Sequence, residues 1–132
     1  MSEPDLVASP FDDLIGTEWL DDDPDHARAR IRMRDDLRQP VGLLHGGVIS
    51  TLVESVCSRS TALAVHPEGM MAMGQSIDIT FLRPTTEGHV EVEARARHRG
   101  RTTWVWDAEV CNSEGKLCAL ARMTVVVRPF AA

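Results

Sequence analysis

One stretch of this chain carries a glutamine, a His-Gly-Gly and a lone glutamate in close succession. Gln39-Pro40-Val41-Gly42-Leu43-Leu44-His45-Gly46-Gly47 leads into an apolar run, Val48 to Val65, in which Glu54 stands among small and apolar residues. A helix beginning at paired glycines leaves backbone N–H groups pointing out of its positive end. Glycine also lets a ligand come close to that backbone. Such a donor suits a carbonyl oxygen that gains negative charge during reaction. A carboxylate can attack such a carbonyl or activate water for the attack, and either role needs it ionised. On its own, Glu54 reads equally well as a surface residue of a helix. The Gly-Gly entry and Gln39, seven residues before Gly46, tip the reading toward chemistry.

The run from Val48 to Val65 predicts a helix. On a wheel of about 100° per residue, Val48, Ile49, Leu52, Val53, Val56, Leu63 and Ala64 form one apolar arc. The opposite arc holds Ser50, Thr51, Glu54, Ser58 and Thr61. Short hydroxyls, rather than Lys, Glu and Arg, predict a face packed closely against something. Ser58 lies four residues after Glu54, within reach of that carboxylate or its water. Arg59 falls in the apolar arc with no evident role. The eight residues from Gly46 to Glu54 span about 12 Å of helix, too far for one small reacting group to touch both. If both act on one carbonyl, they come from different subunits, with two such helices antiparallel about a two-fold axis.

The elements around the helix read mainly as strands. Residues 1–10 predict a flexible arm, and 11–130 a single domain. Phe11 to Ile15 predicts one helical turn ended by Gly16. Thr17 to Leu20 predicts a short strand, and Asp21 to Asp25 an acidic turn. His26 to Met33 alternates, with Ala27, Ala29, Ile31 and Met33 against Arg28, Arg30 and Arg32, the pattern of a half-buried strand. After the stop at His66-Pro67-Glu68-Gly69 come strand regions at Met70–Leu82, His89–Arg99, Thr102–Cys111 and Lys116–Arg128. Short turns make neighbours antiparallel. One helix is available to cover the apolar face of a sheet of five or six strands, so the expectation is α+β: a single long helix wrapped by a curved antiparallel sheet.

Bulk properties narrow the function. A length of 132 residues fits one domain, and 43 % hydrophobic residues suffice for a core without disulfides. Three cysteines, Cys57, Cys111 and Cys118, form no C-x-x-C pair, and no histidines pair at metal-ligand spacing, so no metal is expected. The acidic start is unlike a signal peptide, and no apolar stretch approaches the length of a membrane span. A reduced, cytoplasmic protein is expected. The formal net charge of −6 argues against nucleic acid as a partner. A small anionic ligand would need a local basic patch. Arg95, Arg97 and Arg99 share one strand face, Arg99-Gly100-Arg101 makes a basic turn, and Arg83 ends another strand. For Arg95 and Arg97, a solvated face is an equal reading.

The set Gln39, His45-Gly46-Gly47, Glu54-Ser55 and Ser58 resembles hotdog-fold acyl-CoA thioesterases, in particular the 4-hydroxybenzoyl-CoA branch with its acidic residue on the central helix. The Gln/Glu/Ser combination is more similar to thioesterases of 1,4-dihydroxy-2-naphthoyl-CoA and of enterobactin proofreading. The resemblance covers Leu14 to Val127 and is specific over Gln39 to Ser58. It implies a hotdog fold and a homodimer, or dimer of dimers, that hydrolyses acyl-CoA without a cofactor, with aryl or naphthoyl groups preferred. Its implied catalytic set is Glu54 from the second subunit as nucleophile or base, the Gly46 N–H, Gln39 and His45 on the carbonyl, and Ser58 on the water. Its implied substrate-binding residues are Gly47, Ser55, Phe81, Arg83, Arg99, Gly100 and Arg101. Phe81 departs from the branch, where relatives in menaquinone synthesis tend to have His. The competing readings are a non-catalytic acyl-CoA sensor and a hotdog hydratase; the Asp/His motif of the latter is absent.

Overall fold

A computed structural model describes residues 8–130. Most of the expected arm therefore lies outside the described residues, and its last position, Pro10, already belongs to a helix. The elements run α1 (Pro10–Ile15), β1 (Glu18–Asp23), β2 (His26–Arg32), α2 (Gly46–Val65), β3 (Met70–Phe81), β4 (His89–Arg99), β5 (Thr103–Asn112) and β6 (Leu117–Pro129). Short 3₁₀ turns sit at Asp35–Leu37 and His66–Glu68. All six strands form one antiparallel sheet in the order β1-β2-β4-β5-β6-β3. Helix α2 carries the chain from β2, near one edge, to β3 at the other, and packs across the sheet's inner face. This is the α+β hotdog arrangement that the sequence led us to expect.

The inner face explains why the helix can lie so close. Ala27, Ala29, Ala94 and Ala108 are buried beneath it, small enough to admit a helix backbone, while Ile31, Val90, Val92, Val110, Val125 and Trp106 fill the space on either side. From α2 come Ile49, Leu52, Val53, Val56, Cys57 and Val65. Burying each large aliphatic side chain of this kind contributes about 1.5–3 kcal/mol. Thr61 corrects the wheel reading. It is fully buried, because its Oγ1 accepts a hydrogen bond from Trp106 Nε1–H at 2.9 Å and donates to the Cys57 carbonyl at 2.7 Å. Leu63 and Ala64, assigned to the apolar arc, face outward instead. Replacing Thr61 by valine leaves the shape almost unchanged but strands the indole N–H. We expect a loss of about 1–3 kcal/mol in denaturant unfolding, and an unchanged midpoint would show that this bond contributes nothing.

Strand β1 runs through Asp21, Asp22 and Asp23, where an acidic turn was expected; only Pro24 and Asp25 turn. Pairing with β2 explains the difference. Arg28 Nε reaches Asp21 at 2.7 Å, and Arg30 and Arg32 each reach Glu18 at 2.7 Å, so the acidic run is matched by the arginine row. Hydrogen bonds from Arg30 and then Arg32 hold the Glu18 carboxyl below its ordinary range.

Helix α2 also begins two residues earlier than expected, at Gly46 itself. With the turn that follows, Gly46–Glu68 is long and apolar enough to cross a membrane by length and composition, contrary to the reading from sequence; half of it is buried inside the fold. Its apolarity serves the sheet it packs on. The cysteines are free thiols, and burial pushes the Cys57 thiol far above its ordinary range, which keeps it protonated.

Candidate active site

The loop before α2 presents its donors by a specific local arrangement. Gln39 Oε1 accepts hydrogen bonds from the backbone N–H of Val41 at 2.6 Å and of Leu43 at 3.3 Å. Its oxygen is thereby held by the loop, and its NH₂ is left as the group available to a substrate. Gly42, at φ 91°, permits the turn that makes this possible, and Gly42 N–H donates to the Gln39 carbonyl at 2.9 Å. Leu44 N–H is tied to the Thr85 carbonyl at 2.8 Å and His45 N–H to the Leu37 carbonyl at 2.9 Å, which fixes the loop against the rest of the domain.

His45 caps the helix. Its Nδ1 accepts from Gly47 N–H at 2.9 Å, which places the proton of a neutral ring on Nε2. Gly47 N–H is therefore engaged within the chain. Gly46 N–H has no acceptor among the described residues. The Phe81 ring lies against Gly46: a Cβ there would sit 3.0 Å from Phe81 Cζ, so a side chain at this position would displace the ring. Gln39, Leu43, Gly46, Ile49, Phe81 and Arg83 line one cavity of about 410 Å³. Arg83 is exposed and forms no ion pair among the described residues.

Glu54 lines a different cavity, of about 220 Å³, with Trp19, Ser55, Ser58, Arg59 and Ala62. Neither Gln39 nor Gly46 belongs to it. Glu54 is exposed and forms no hydrogen bond or ion pair among the described residues, and none joins it to Ser58. Gly74 on β3 makes room for Met123: a Cβ there would stand 2.6 Å from Met123 Cε, and at an ordinary contact distance of 3.7 Å from Glu54 Cγ. A glycine inside a strand pattern signals close approach of this kind, but the sequence reading did not use it. The adjoining bulge between Gly74 and Ser76 returns Ile77, Ile79 and Phe81 to the inner face.

The basic residues disperse. A bulge between Ala96 and His98 turns β4, so Arg99 pairs with Trp104 on the inner face while Arg95 pairs with Asp107 on the outer one. The three arginines therefore do not share a face. The Arg99 guanidinium lies 5.6 Å from the centre of the Trp104 ring and is ion-paired with Asp25. Arg99, Gly100 and Arg101 line a cavity with Ala64, Val65 and Glu68 at the far end of α2. Among the described residues no group of three His, Cys, Asp or Glu could hold a metal ion.

One long helix laid across a six-stranded antiparallel sheet is the architecture of the hotdog thioesterases. Residues 41–119 match the thioesterase superfamily, and the chain belongs to that family. The crystal structure of thioesterase HI1161 from Haemophilus influenzae superposes with a TM-score of 0.88 at 30% identity, covering 96% of this chain and 88% of that one. A mutant of thioesterase PA1618 from Pseudomonas aeruginosa gives a TM-score of 0.87 at 34% identity, covering 91% and 86%. A 1,4-dihydroxy-2-naphthoyl-CoA hydrolase of Listeria monocytogenes is 29% identical over 116 residues, 88% of this chain and 94% of that protein. The protein is a thioester hydrolase, which sets aside the reading as a non-catalytic module.

Proposed function

We propose that the protein hydrolyses acyl-CoA thioesters with aryl or naphthoyl acyl groups, in sites shared between two subunits. The observation that carries this reading is the pair of donors at the start of α2: a Gly46 N–H with no intrachain acceptor among the described residues, and a Gln39 amide whose oxygen the loop already holds. Both suit a thioester oxygen that becomes negative as the carbonyl carbon turns tetrahedral. Glu54 of the second subunit then acts in one of two ways. As nucleophile, it adds to that carbon, expels the CoA thiolate and leaves an anhydride for water to open. As base, it takes a proton from water, and the resulting hydroxide adds to the carbon before the C–S bond breaks and the thiolate takes up a proton.

The separation of Gly46 and Glu54 into different cavities supports shared sites, as does the outer edge of the 12-residue strand β3, which pairs with β6 on its other side only. An edge of this length pairs readily with a second copy, and Met73 and Phe81 on it are 46% and 50% exposed. The Listeria relative acts on a naphthoyl thioester, which supports an aryl acyl group. The exposed Arg83, without an ion pair among the described residues, suits a CoA phosphate. Thiol release from benzoyl-, 2-naphthoyl- and palmitoyl-CoA tests the assignment. We expect kcat/KM at least about tenfold higher for the aryl esters than for palmitoyl-CoA. Equal or better turnover of palmitoyl-CoA would overturn the aryl preference, and no release from any of them would overturn acyl-CoA as substrate.

A further inference from the structure

The cavity around Glu54 holds a cation that the mechanism does not use. Arg59 extends from α2 with its side chain 20% exposed, and its Nε and Nη1 are fully buried with no hydrogen-bond partner among the described residues. Its guanidinium lies 4.2 Å from the centre of the Trp19 ring. Its nearest carboxylate is Asp22, with Nε to Oδ1 at 3.7 Å, an ion-pair distance beyond hydrogen-bonding reach. Buried N–H groups of a charged side chain are costly to leave unmade. Stacking on an aromatic face fixes the guanidinium plane but satisfies neither N–H. The arrangement is that of donors held ready for an acceptor that the described residues do not supply.

Position identifies which part of a substrate would bring that acceptor. Arg59 is five residues beyond Glu54, about 7.5 Å further along the helix axis. The cavity runs in that direction, past Ser58 to Arg59 and Ala62, with Trp19 as an apolar wall. With the CoA phosphate at Arg83 in the first cavity, the acyl group of a thioester at Glu54 extends toward Arg59. Charge identifies the acceptor. Glu54 and the buried Asp12 line the same cavity, and Asp22 stands beside the guanidinium. With Asp22 beside the guanidinium and two further carboxylates lining the cavity, a further anion is disfavoured, whereas a neutral oxygen needs only the two idle N–H groups.

We propose that Arg59 is a specificity-determining residue that donates to an uncharged oxygen (hydroxyl, ether or ketone) near the distal end of the acyl group. The inference rests on Glu54 acting at the thioester carbonyl, as read above. A site built to hydrogen-bond a substrate oxygen discriminates strongly against the analogue lacking it.

The test uses matched pairs on two skeletons: 4-hydroxybenzoyl- with benzoyl-CoA, and 5-oxohexanoyl- with hexanoyl-CoA. For the wild type we expect kcat/KM about tenfold or more higher for the oxygenated member of each pair. In Arg59→Met, which keeps the length and removes the donors, the ratio falls to within about twofold of unity. In Asp22→Asn, which removes only the ion pair, the wild-type ratio persists. Ratios that are the same in wild type and Arg59→Met overturn the proposal. If Arg59→Met does not fold, Arg59→Gln serves in its place, with the same two outcomes. Binding of 4-hydroxyphenacyl-CoA and phenacyl-CoA, whose thioether linkage cannot be hydrolysed, gives a readout independent of turnover. A wild-type preference for the hydroxylated analogue that Arg59→Met abolishes supports the proposal even where no ester is cleaved, a result that would overturn only the hydrolytic reading. Hydrolysis of all four esters with no preference within either pair leaves the hydrolytic reading standing and overturns the role of Arg59.

Discussion

Replacing Glu54 by alanine is expected to lower kcat about a thousandfold while leaving KM within a few-fold of wild type. The magnitude follows from the role. A positioned base contributes typically about 10²–10⁴-fold, and a lost nucleophile at least as much. The division between kcat and KM follows from where the carboxylate works, since a group whose interaction develops only in the transition state contributes little to ground-state binding. The fold should not register the change. Glu54 is exposed and makes no hydrogen bond or ion pair among the described residues, so unfolding free energy should stay within about 0.5 kcal/mol of wild type. Glu54→Gln, which keeps the shape and loses the charge, should be equally impaired. Thiol release by either variant at more than about a tenth of the wild-type rate would remove Glu54 from the chemistry.

The second large effect is a recovery. A Glu54→Ala chain keeps an intact carbonyl-binding loop, and a Gln39-substituted chain keeps an intact carboxylate. If each site takes its loop from one subunit and its carboxylate from the other, a mixed dimer has one complete site and one doubly defective site. Random exchange makes half the dimers mixed, so the mixture should reach about a quarter of wild-type activity when each variant alone is nearly inactive. The choice of Gln39 substitution matters. Alanine also releases the N–H groups of Val41 and Leu43 from Gln39 Oε1, and loosening the loop would blur the result. Gln39→Glu keeps the acceptor and removes the donor, so both versions should be mixed with Glu54→Ala. Activity no greater than the average of the two parents, after exchange is verified by mass, would mean that loop and carboxylate act within one chain. Helical rise argues against that outcome, because about 12 Å separates Gly46 from Glu54 along α2.

Much of this arrangement was legible in the sequence, for reasons that differ from element to element. β2 and β4 could be read because alternation over seven and eleven residues has one physical cause, a sheet wet on one face and buried on the other. α2 could be read because its apolar run is too long for a strand, though its first turn takes in the paired glycines that precede that run. β1 was read too short because acidic residues in succession resemble a turn until the arginines opposite them are known. Arg99 was placed on the wrong face because a bulge adds one residue and reverses the alternation beyond it, and no residue type marks that event. Leu63 and Ala64 were misjudged because a wheel assigns direction without knowing where the sheet ends.

Sequence by itself determined which residues could do chemistry: Gln39, Gly46 and Glu54 are the few groups whose types and spacing suit a carbonyl and its attacker. It also determined, through the rise of a helix, that Gly46 and Glu54 of one chain cannot meet on one small group. Only the tertiary structure decided what each of those groups has left to offer. The loop engages the Gln39 oxygen and frees its NH₂; His45 takes the Gly47 N–H and leaves that of Gly46. Packing against β1 sets Arg59, unassigned in the sequence, over Trp19 and in the same cavity as Glu54, with two N–H groups unmet among the described residues. The physical reason is that residue type fixes how many hydrogen bonds a group can make, whereas the fold fixes how many are already made.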